Sequence, residues 1–290
     1  MKTARIEAYA KVNLTLEVFG KRVDGYHALR SVVVPVSLSD TLELADAAEG
    51  FESDTGYPDD LCLKAARALS ARFPGQARGV RISVTKRIPA GGGLGGGSAD
   101  AAAVLWALNG MWRLDLAPDE LARVGADVGS DVPALVLSRA CGPVLMEGRG
   151  EVVKPLFDGR SPDLRALNLV LVNPGVFSST PEVYRECSPR LSDDPSILYN
   201  ISKSLADGDL VSVAASLMND LEPPAMRLHP EIESAKRELL AAGAAGALMS
   251  GSGSTVFGLV PDEAQGRKTA ALLGERGLSA WTAATVCPVV

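Results

Sequence analysis

The sequence predicts an α+β fold in two parts. Three observations point to it. Alternation of apolar and polar residues, the mark of half-buried strands, fills the front of the chain. Helical spacing recurs from residue 181 onward. No regular strand–helix–strand alternation and no repeat of fixed period connects the two, which disfavours a doubly wound parallel sheet.

The elements follow in order. Residues 4–21 (ARIEAYAKVNLTLEVFGK) alternate until Gly20 and predict two strand segments. Residues 21–44 turn at Asp24-Gly25 and continue as strand, with Pro35 expected to break it. Residues 59–73 space Leu61, Ala65, Ala68 and Leu69 as a helix that Pro74-Gly75 ends. Val80, Ile82 and Val84 alternate as a strand, and a helix is expected over about 98–108. Pro118 suits the first turn of the next helix. GADVGSDVPALVLS (125–138) reads as a loop feeding an apolar segment, and LNLVLVNPG (167–175) as a buried strand. The polar stretch 158–165 (DGRSPDLR) is the expected boundary, which divides the chain into 1–160 and 161–290. Helices are predicted near 181–187, 195–206, 208–219, 230–242 and 262–276, with a glycine-rich turn at 249–260.

Composition excludes several classes. A net charge of −6, from 35 acids and 29 bases, argues against general nucleic-acid or anionic-membrane binding. The front of the chain lacks the apolar core of about 7–15 residues that a signal peptide needs. No apolar run reaches the ~18 residues of a membrane span. Cys62, Cys141, Cys187 and Cys287 are scattered, with no Cys-x-x-Cys pair and neither His27 nor His229 nearby. A metal–thiolate site is therefore not expected, no metal-ligating residues are assigned, and a reduced, cytoplasmic protein is expected.

The most informative stretch is PAGGGLGGGSADAA (89–102), where six of the seven residues from Gly91 to Gly97 are glycine. Such a run costs backbone entropy to order, yet it abuts a strong helix former. A glycine loop opening a helix lets N–H groups converge on phosphate, and the helix end adds about half a positive charge. The Walker pattern Gly-x-x-x-x-Gly-Lys-Ser/Thr fails because Gly97 stands at the lysine position. The dinucleotide fingerprint fits Gly91, Gly93 and Gly96, but no second strand ending in an acid follows. A protein-kinase loop lacks its lysine and catalytic-loop motifs. A plain linker would be polar and lead away from a core. The loop therefore implies a phosphate, without saying which; Ser98 reads as helix cap or as a hydroxyl ligand.

Pro-x-x-x-Gly-Leu-Gly-x-x-Ser-x-Ala resembles the central motif of the GHMP kinase superfamily, which includes galactokinase and the homoserine and mevalonate kinases. AYAKVNLTL (8–16) and LMSGSGSTVFGL (248–259) are similar to its N- and C-terminal motifs. The resemblance implies a two-domain α+β fold with the active site in the inter-domain cleft and ATP, with magnesium, as phosphate donor. The stretches AKVNLTLEVFGKRVDGYHAL, GADVGSDVPAL and NPGVFSSTPEVY narrow it to members acting on the 2-hydroxyl of a cytidine-diphosphate-linked methylerythritol. A mevalonate- or homoserine-type kinase, or a non-catalytic nucleotide-binding regulator, is the alternative.

By this resemblance Asp131 is the general base and Lys11 its neighbouring cation, against the plainer readings of a helix cap and a surface strand lysine. Lys86, Pro89, Gly91, Gly92, Gly93, Leu94, Gly95, Gly96, Gly97 and Ser98 are expected at the nucleotide. Tyr26 and Tyr184 would stack on the cytosine and His27 would hydrogen-bond it, with Asn13, Thr180 and Pro181 lining the same site. Asp60 stands where the family commonly has an asparagine near the adenine, and a carboxylate cannot donate as an amide does. Gly251 and Gly253 form either a tight turn or a passage beside phosphate.

Overall fold

In the computed structural model, residues 2–21, 25, 27–157 and 164–286 are described. The N-terminal part contains β1 (Thr3–Lys21), β2 (His27–Ala47), β3 (Phe51–Ser53), α1 (Leu61–Arg72), β4 (Gly79–Thr85), α2 (Gly96–Trp112), α3 (Pro118–Gly125), α4 (Val132–Cys141), β5 (Val144–Gly148) and β6 (Val152–Pro155). After residue 163 come β7 (Asn168–Asn173), α5 (Thr180–Glu186), α6 (Pro195–Asp207), α7 (Leu210–Ala215), β8 (Met218–Asn219), α8 (Glu222–Leu228) and α9 (Pro230–Ala241). The chain closes with β9 (Gly246–Met249), β10 (Val256–Val260), α10 (Glu263–Glu275) and β11 (Ser279–Ala284). The fold is α+β.

Two sheets organise these elements. One runs β3-β4-β2-β1-β8, with β5 and β6 continuing from β2; the other runs β11-β7-β10-β9. The two strand segments expected at the front are one strand, antiparallel to β2, with register shifts at Tyr9/Ala10 and Asn13/Thr15. Pro35 does not break β2. It pairs with Lys11, and on the other edge β5 covers residues 29–33 and β4 covers 41–47. Its missing N–H therefore falls in the gap between two ladders and costs neither a bond.

The alanine-rich helix α2 is buried on nearly every face, from Ala99 to Trp112, and packs against α1, α4 and β1. A largely apolar helix belongs in a core, and here its first turn, Gly96–Ser98, emerges from the core at the end of the glycine run. The apolar segment after Asp131 is the helix α4, whose buried face joins the same core. The helix expected over 208–219 stops at Ala215, and Met218–Asn219 instead pair in parallel with Thr15 and Leu16 of β1. That short strand draws the C-terminal part onto the N-terminal sheet. Asp24 and residues 158–163 of the expected turn and boundary lie outside the described residues.

Candidate active site

The glycine run connects β4 to α2, and neighbours on both sides order it. Thr255 N donates to Gly92 O (3.1 Å), Ser250 Oγ to Gly93 O (3.0 Å), and Lys11 N to Leu94 O (3.1 Å). Gly93 has φ of 74°, and a Cβ there would sit 2.1 Å from Ser250 O. Only glycine fits. We expect Gly93→Ala to lose about 1–2 kcal/mol to the left-handed backbone alone and more to the displaced carbonyl. A thermal melt at the wild-type temperature would contradict this.

One face of the loop bounds a cavity of ≈ 530 Å³ whose lining includes Lys86, Pro89, Gly91, Gly92, Gly93, Gly95, Gly96, Gly97 and Ser98. Leu94 departs from the expectation: its side chain is buried in the core, so only its backbone belongs to the loop. The N-cap of α2 is Gly95, which places Ser98 in the first turn rather than at the cap. The unsatisfied N–H groups of that turn and the helix dipole both favour an anion in this cavity.

Lys86 lines the same cavity with its charge already engaged. Its Nζ donates to Asp40 Oδ2 (2.5 Å) and Asp100 Oδ2 (2.6 Å), while Asp40 also accepts from Arg87 N and Ile88 N. Burial opposes the Lys86 charge, but the two carboxylates outweigh it and hold its pKa above the ordinary lysine value. Burial lifts Asp100 to about 7, with Lys86 pulling the other way. Lys86 is thus a brace between β2 and α2 as well as a cavity wall. Asp60 caps α1, accepting from Cys62 N (2.7 Å) and Leu63 N (3.2 Å), with Thr55 Oγ1 donating at 2.6 Å. Burial opposes its charge, but these donors hold its pKa below the ordinary value.

The opposite face of the loop bounds a second cavity, of ≈ 650 Å³, and Gly91, Gly93 and Gly95 line both. Lys11, Asn13, His27, Asp131, Thr180, Pro181 and Tyr184 converge here. Lys11 Nζ lies 3.6 Å from Asp131 Oδ2, an ion pair beyond hydrogen-bond reach, with the lysine side chain 5% and the aspartate 35% exposed. Asp131 occupies the N-cap position of α4 but makes no side-chain cap bond. Lys11 donates to Asn13 Oδ1 (2.6 Å), Asn13 Nδ2 to Ser31 Oγ (2.7 Å), and Ser31 Oγ to Thr15 O (2.6 Å). This relay fixes the Asn13 amide with its oxygen toward the lysine. Burial pushes the Lys11 pKa below the ordinary value, and Asp131 opposes the shift. Gly251, at φ of 58°, keeps the seat open: a Cβ there would stand 3.1 Å from Lys11 Nζ.

At the far end, the His27 and Tyr184 rings stack at 5.8 Å and 30°. Phe19 O accepts from His27 Nδ1 at 3.2 Å; a carbonyl cannot donate, so the neutral ring presents Nε2 as an acceptor. Tyr26 lies outside the described residues. Thr180 Oγ1 and Ser252 Oγ share a hydrogen bond of 2.7 Å, and Ser178 Oγ donates to Ser252 O at 2.6 Å. The Gly251–Gly253 turn therefore lines the second cavity and backs the glycine loop; it does not line the first.

Several site residues escaped the sequence reading. Phe177, 73% exposed, lies against Gly91. Asn219 Nδ2 donates to Met249 O and Gly251 O, both at 2.8 Å, and so holds the turn under Lys11. The stretch NPGVFSST carried a signal for Phe177, but nothing local marked Asn219.

Family models for the GHMP kinases N terminal domain and the GHMP kinases C terminal match residues 60–139 and 201–277. The 4-diphosphocytidyl-2-C-methyl-D-erythritol kinase of Moorella thermoacetica is 41% identical over 286 residues, 95% of this chain and 96% of the relative. A crystal structure of 4-(cytidine 5'-diphospho)-2C-methyl-D-erythritol kinase superposes with a TM-score of 0.82 at 37% identity, covering 97% of this chain and 98% of that one. Homoserine kinase from Cytophaga hutchinsonii shares the fold, with a TM-score of 0.76 at 17% identity over 99% of this chain and 95% of that one. The chain belongs to the 4-diphosphocytidyl-2-C-methyl-D-erythritol kinase family of the GHMP kinases.

Proposed function

We propose that the protein transfers the γ-phosphoryl group of ATP to the 2-hydroxyl of 4-diphosphocytidyl-2-C-methyl-D-erythritol. The observation that carries this is the Lys11–Asp131 pair in the second cavity, beside the glycine wall that the two cavities share. Phosphoryl transfer needs donor and acceptor in line, with charge stabilised between them. The first cavity takes the nucleotide, its phosphates on the amides of the glycine loop and α2. The second takes the acceptor, its hydroxyl at Asp131 Oδ2.

In this reading Asp131 receives the hydroxyl proton. Lys11 faces that carboxylate as its counter-charge and offers charge to the transferring oxygens. Asn13 orients the lysine, while Thr180 and Pro181 close the wall of the acceptor site. His27 Nε2 accepts from an exocyclic amine, and the Tyr184 ring offers a stacking face. Burial, then the charge of Asp131, raises the Tyr184 pKa, so this phenol stays neutral.

Among the described residues no group of three or more His, Cys, Asp or Glu side chains could hold a metal. Magnesium would therefore enter with the nucleotide phosphates and neutralise their charge, with the Ser98 hydroxyl as the protein group beside it. The two sheets support a division into an N-terminal domain, 1–160, and a C-terminal domain, 161–290. No helix among the described residues is long and apolar enough to cross a membrane.

The test is ADP formation by the purified chain with this acceptor, mevalonate and homoserine in turn. ADP only with the cytidyl acceptor supports the reading. Equal rates with mevalonate would favour another member of the superfamily, and ATP binding without ADP would favour a regulator. Tyr184→Ala should raise the acceptor KM about 5- to 150-fold, because stacking on a base contributes ~1–3 kcal/mol. The KM for ATP should stay unchanged; a parallel rise would exclude a separate base pocket.

A further inference from the structure

We propose that Asp220, through its paired bonds with Arg190, is a positioning residue that sets how His27 and Tyr184 face each other and thereby tunes acceptor affinity. The inference rests on the second cavity being the acceptor site. Neither residue lines that cavity, so each acts through others.

His27 and Tyr184 come from opposite parts of the chain. His27 begins β2 and hangs on the Phe19 carbonyl near the end of β1. Tyr184 rides on α5. Nothing in either element alone fixes the 5.8 Å between the two rings. Asp220 is where the two are joined.

Toward β1, Asp220 N donates to Leu16 O (2.9 Å), and its Oδ2 accepts from Val18 N (2.9 Å). Arg190 then closes a fork on the same carboxylate, Nε to Oδ2 at 2.7 Å and Nη2 to Oδ1 at 3.1 Å. Arg190 N donates to Val18 O at 2.8 Å, and Arg190 forms a bridge with Phe19. Phe19, whose carbonyl holds His27, therefore sits between Val18 and Arg190, both bonded to the Asp220 carboxylate.

Toward α5, the Asp220 carbonyl accepts from Cys187 Sγ at 3.6 Å. Cys187 is the C-cap of α5, and its N–H donates to Tyr184 O. The connection from α5 to Arg190 is only a few residues, so the arginine fork also limits how far the Tyr184 helix can drift. A second clasp reinforces it farther along. Arg30 holds Glu17 by two bonds (2.7 and 2.9 Å) and reaches Asp193 (2.7 Å), with its guanidinium 5.7 Å over the Phe19 ring.

A planar fork holds both oxygens of a carboxylate in one geometry; an ammonium cannot. Losing the fork should leave the fold standing and loosen one corner of one cavity. Loosening by ~1 Å is enough to change rates or affinities by up to about 100-fold.

The test uses the full chain with Arg190→Ala, Asp220→Asn, the double variant and Arg190→Lys, each shown to be folded by circular dichroism. In the two single variants the KM for the cytidyl acceptor should rise on the order of tenfold, while kcat and the KM for ATP stay within about twofold. Calorimetric binding of CDP should weaken in parallel. Arg190→Lys, which keeps one contact and the charge, should recover part of the loss. The double variant should be no worse than the worse single, because both remove one interaction. Unchanged acceptor KM and CDP affinity in folded variants would overturn the proposal. So would equal losses for acceptor and ATP accompanied by a lower melting temperature, since that is a purely structural role. A wild type that neither turns over the cytidyl acceptor nor binds CDP removes the parent reading, and this one with it.

Discussion

Asp131→Asn should lower turnover by about 10²–10⁴-fold while leaving nucleotide affinity nearly unchanged. Asp131 lies in the second cavity, with its side chain 35% exposed and no cap bond to give up. Replacing it therefore removes a proton acceptor and the charge that faces Lys11, but no helix cap. The amide keeps the shape of the carboxylate, so the acceptor still binds, but it cannot take the hydroxyl proton. The cavity proposed for the nucleotide lies on the other face of the glycine loop, and Asp131 does not line it. Pre-steady-state quench measurements against fluorescent-nucleotide titration separate the two effects. Turnover within a few-fold of wild type would remove Asp131 from the chemistry.

Lys11→Met should do two opposite things. Turnover should fall by on the order of 10²–10³-fold, the usual loss when one preorganised charge at the transferring group is removed. Thermal stability should rise at neutral pH. The sign follows from the direction of the lysine shift. Burial lowers the Lys11 pKa in the folded protein below its unfolded value. The folded state therefore binds its proton less tightly than the unfolded chain, and holding the charge at neutral pH costs stability. That cost fades as pH rises from the folded pKa toward the unfolded one, so the advantage of methionine should shrink along the same path. Melting curves at pH 7 and 10 for both proteins check this. A variant less stable at pH 7, with no change in the difference at pH 10, would contradict it. The hydrogen bond to Asn13 and the charge of Asp131 offset part of that cost.

Much of the fold was legible because local and global preferences agree. The alternating stretch at the front of the chain is β1, buried continuously from Ala10 to Val18, and the alanine run after Ser98 is a helix buried in the core. One failure comes from side chains that replace backbone partners. LVSVAASLMND reads as continuous helix, yet Asn219 and Asp220 use their side chains to bracket the Gly251 turn and the end of β1, and the helix ends at Ala215. A residue that stabilises a distant segment leaves no periodic trace. Pro35 misled for a related reason: whether its missing N–H matters depends on which stretches of β2 have a second neighbour.

The candidate site divides in the same way. The glycine run reads as a phosphate clamp in the sequence, because glycine at that density has few other uses beside a helix start. The pairing of Lys11 with Asp131, 120 positions along the chain, had no local signature and came only from resemblance to the superfamily. The geometry adds what neither supplied. One loop serves two cavities, and Lys86 is already tied to Asp40 and Asp100. In the proposed reading, Lys11 and the helix end would supply positive charge beside the transferring group, since the Lys86 charge is already engaged.

The most direct measurement is phosphorus NMR of the products formed by the purified protein from ATP and 4-diphosphocytidyl-2-C-methyl-D-erythritol. One ADP is expected for each new phosphomonoester, with that ester on the 2-hydroxyl, and no product from Asp131→Asn over the same interval. Free phosphate in place of the ester, an ester at another hydroxyl, or equal product from the variant would contradict this expectation.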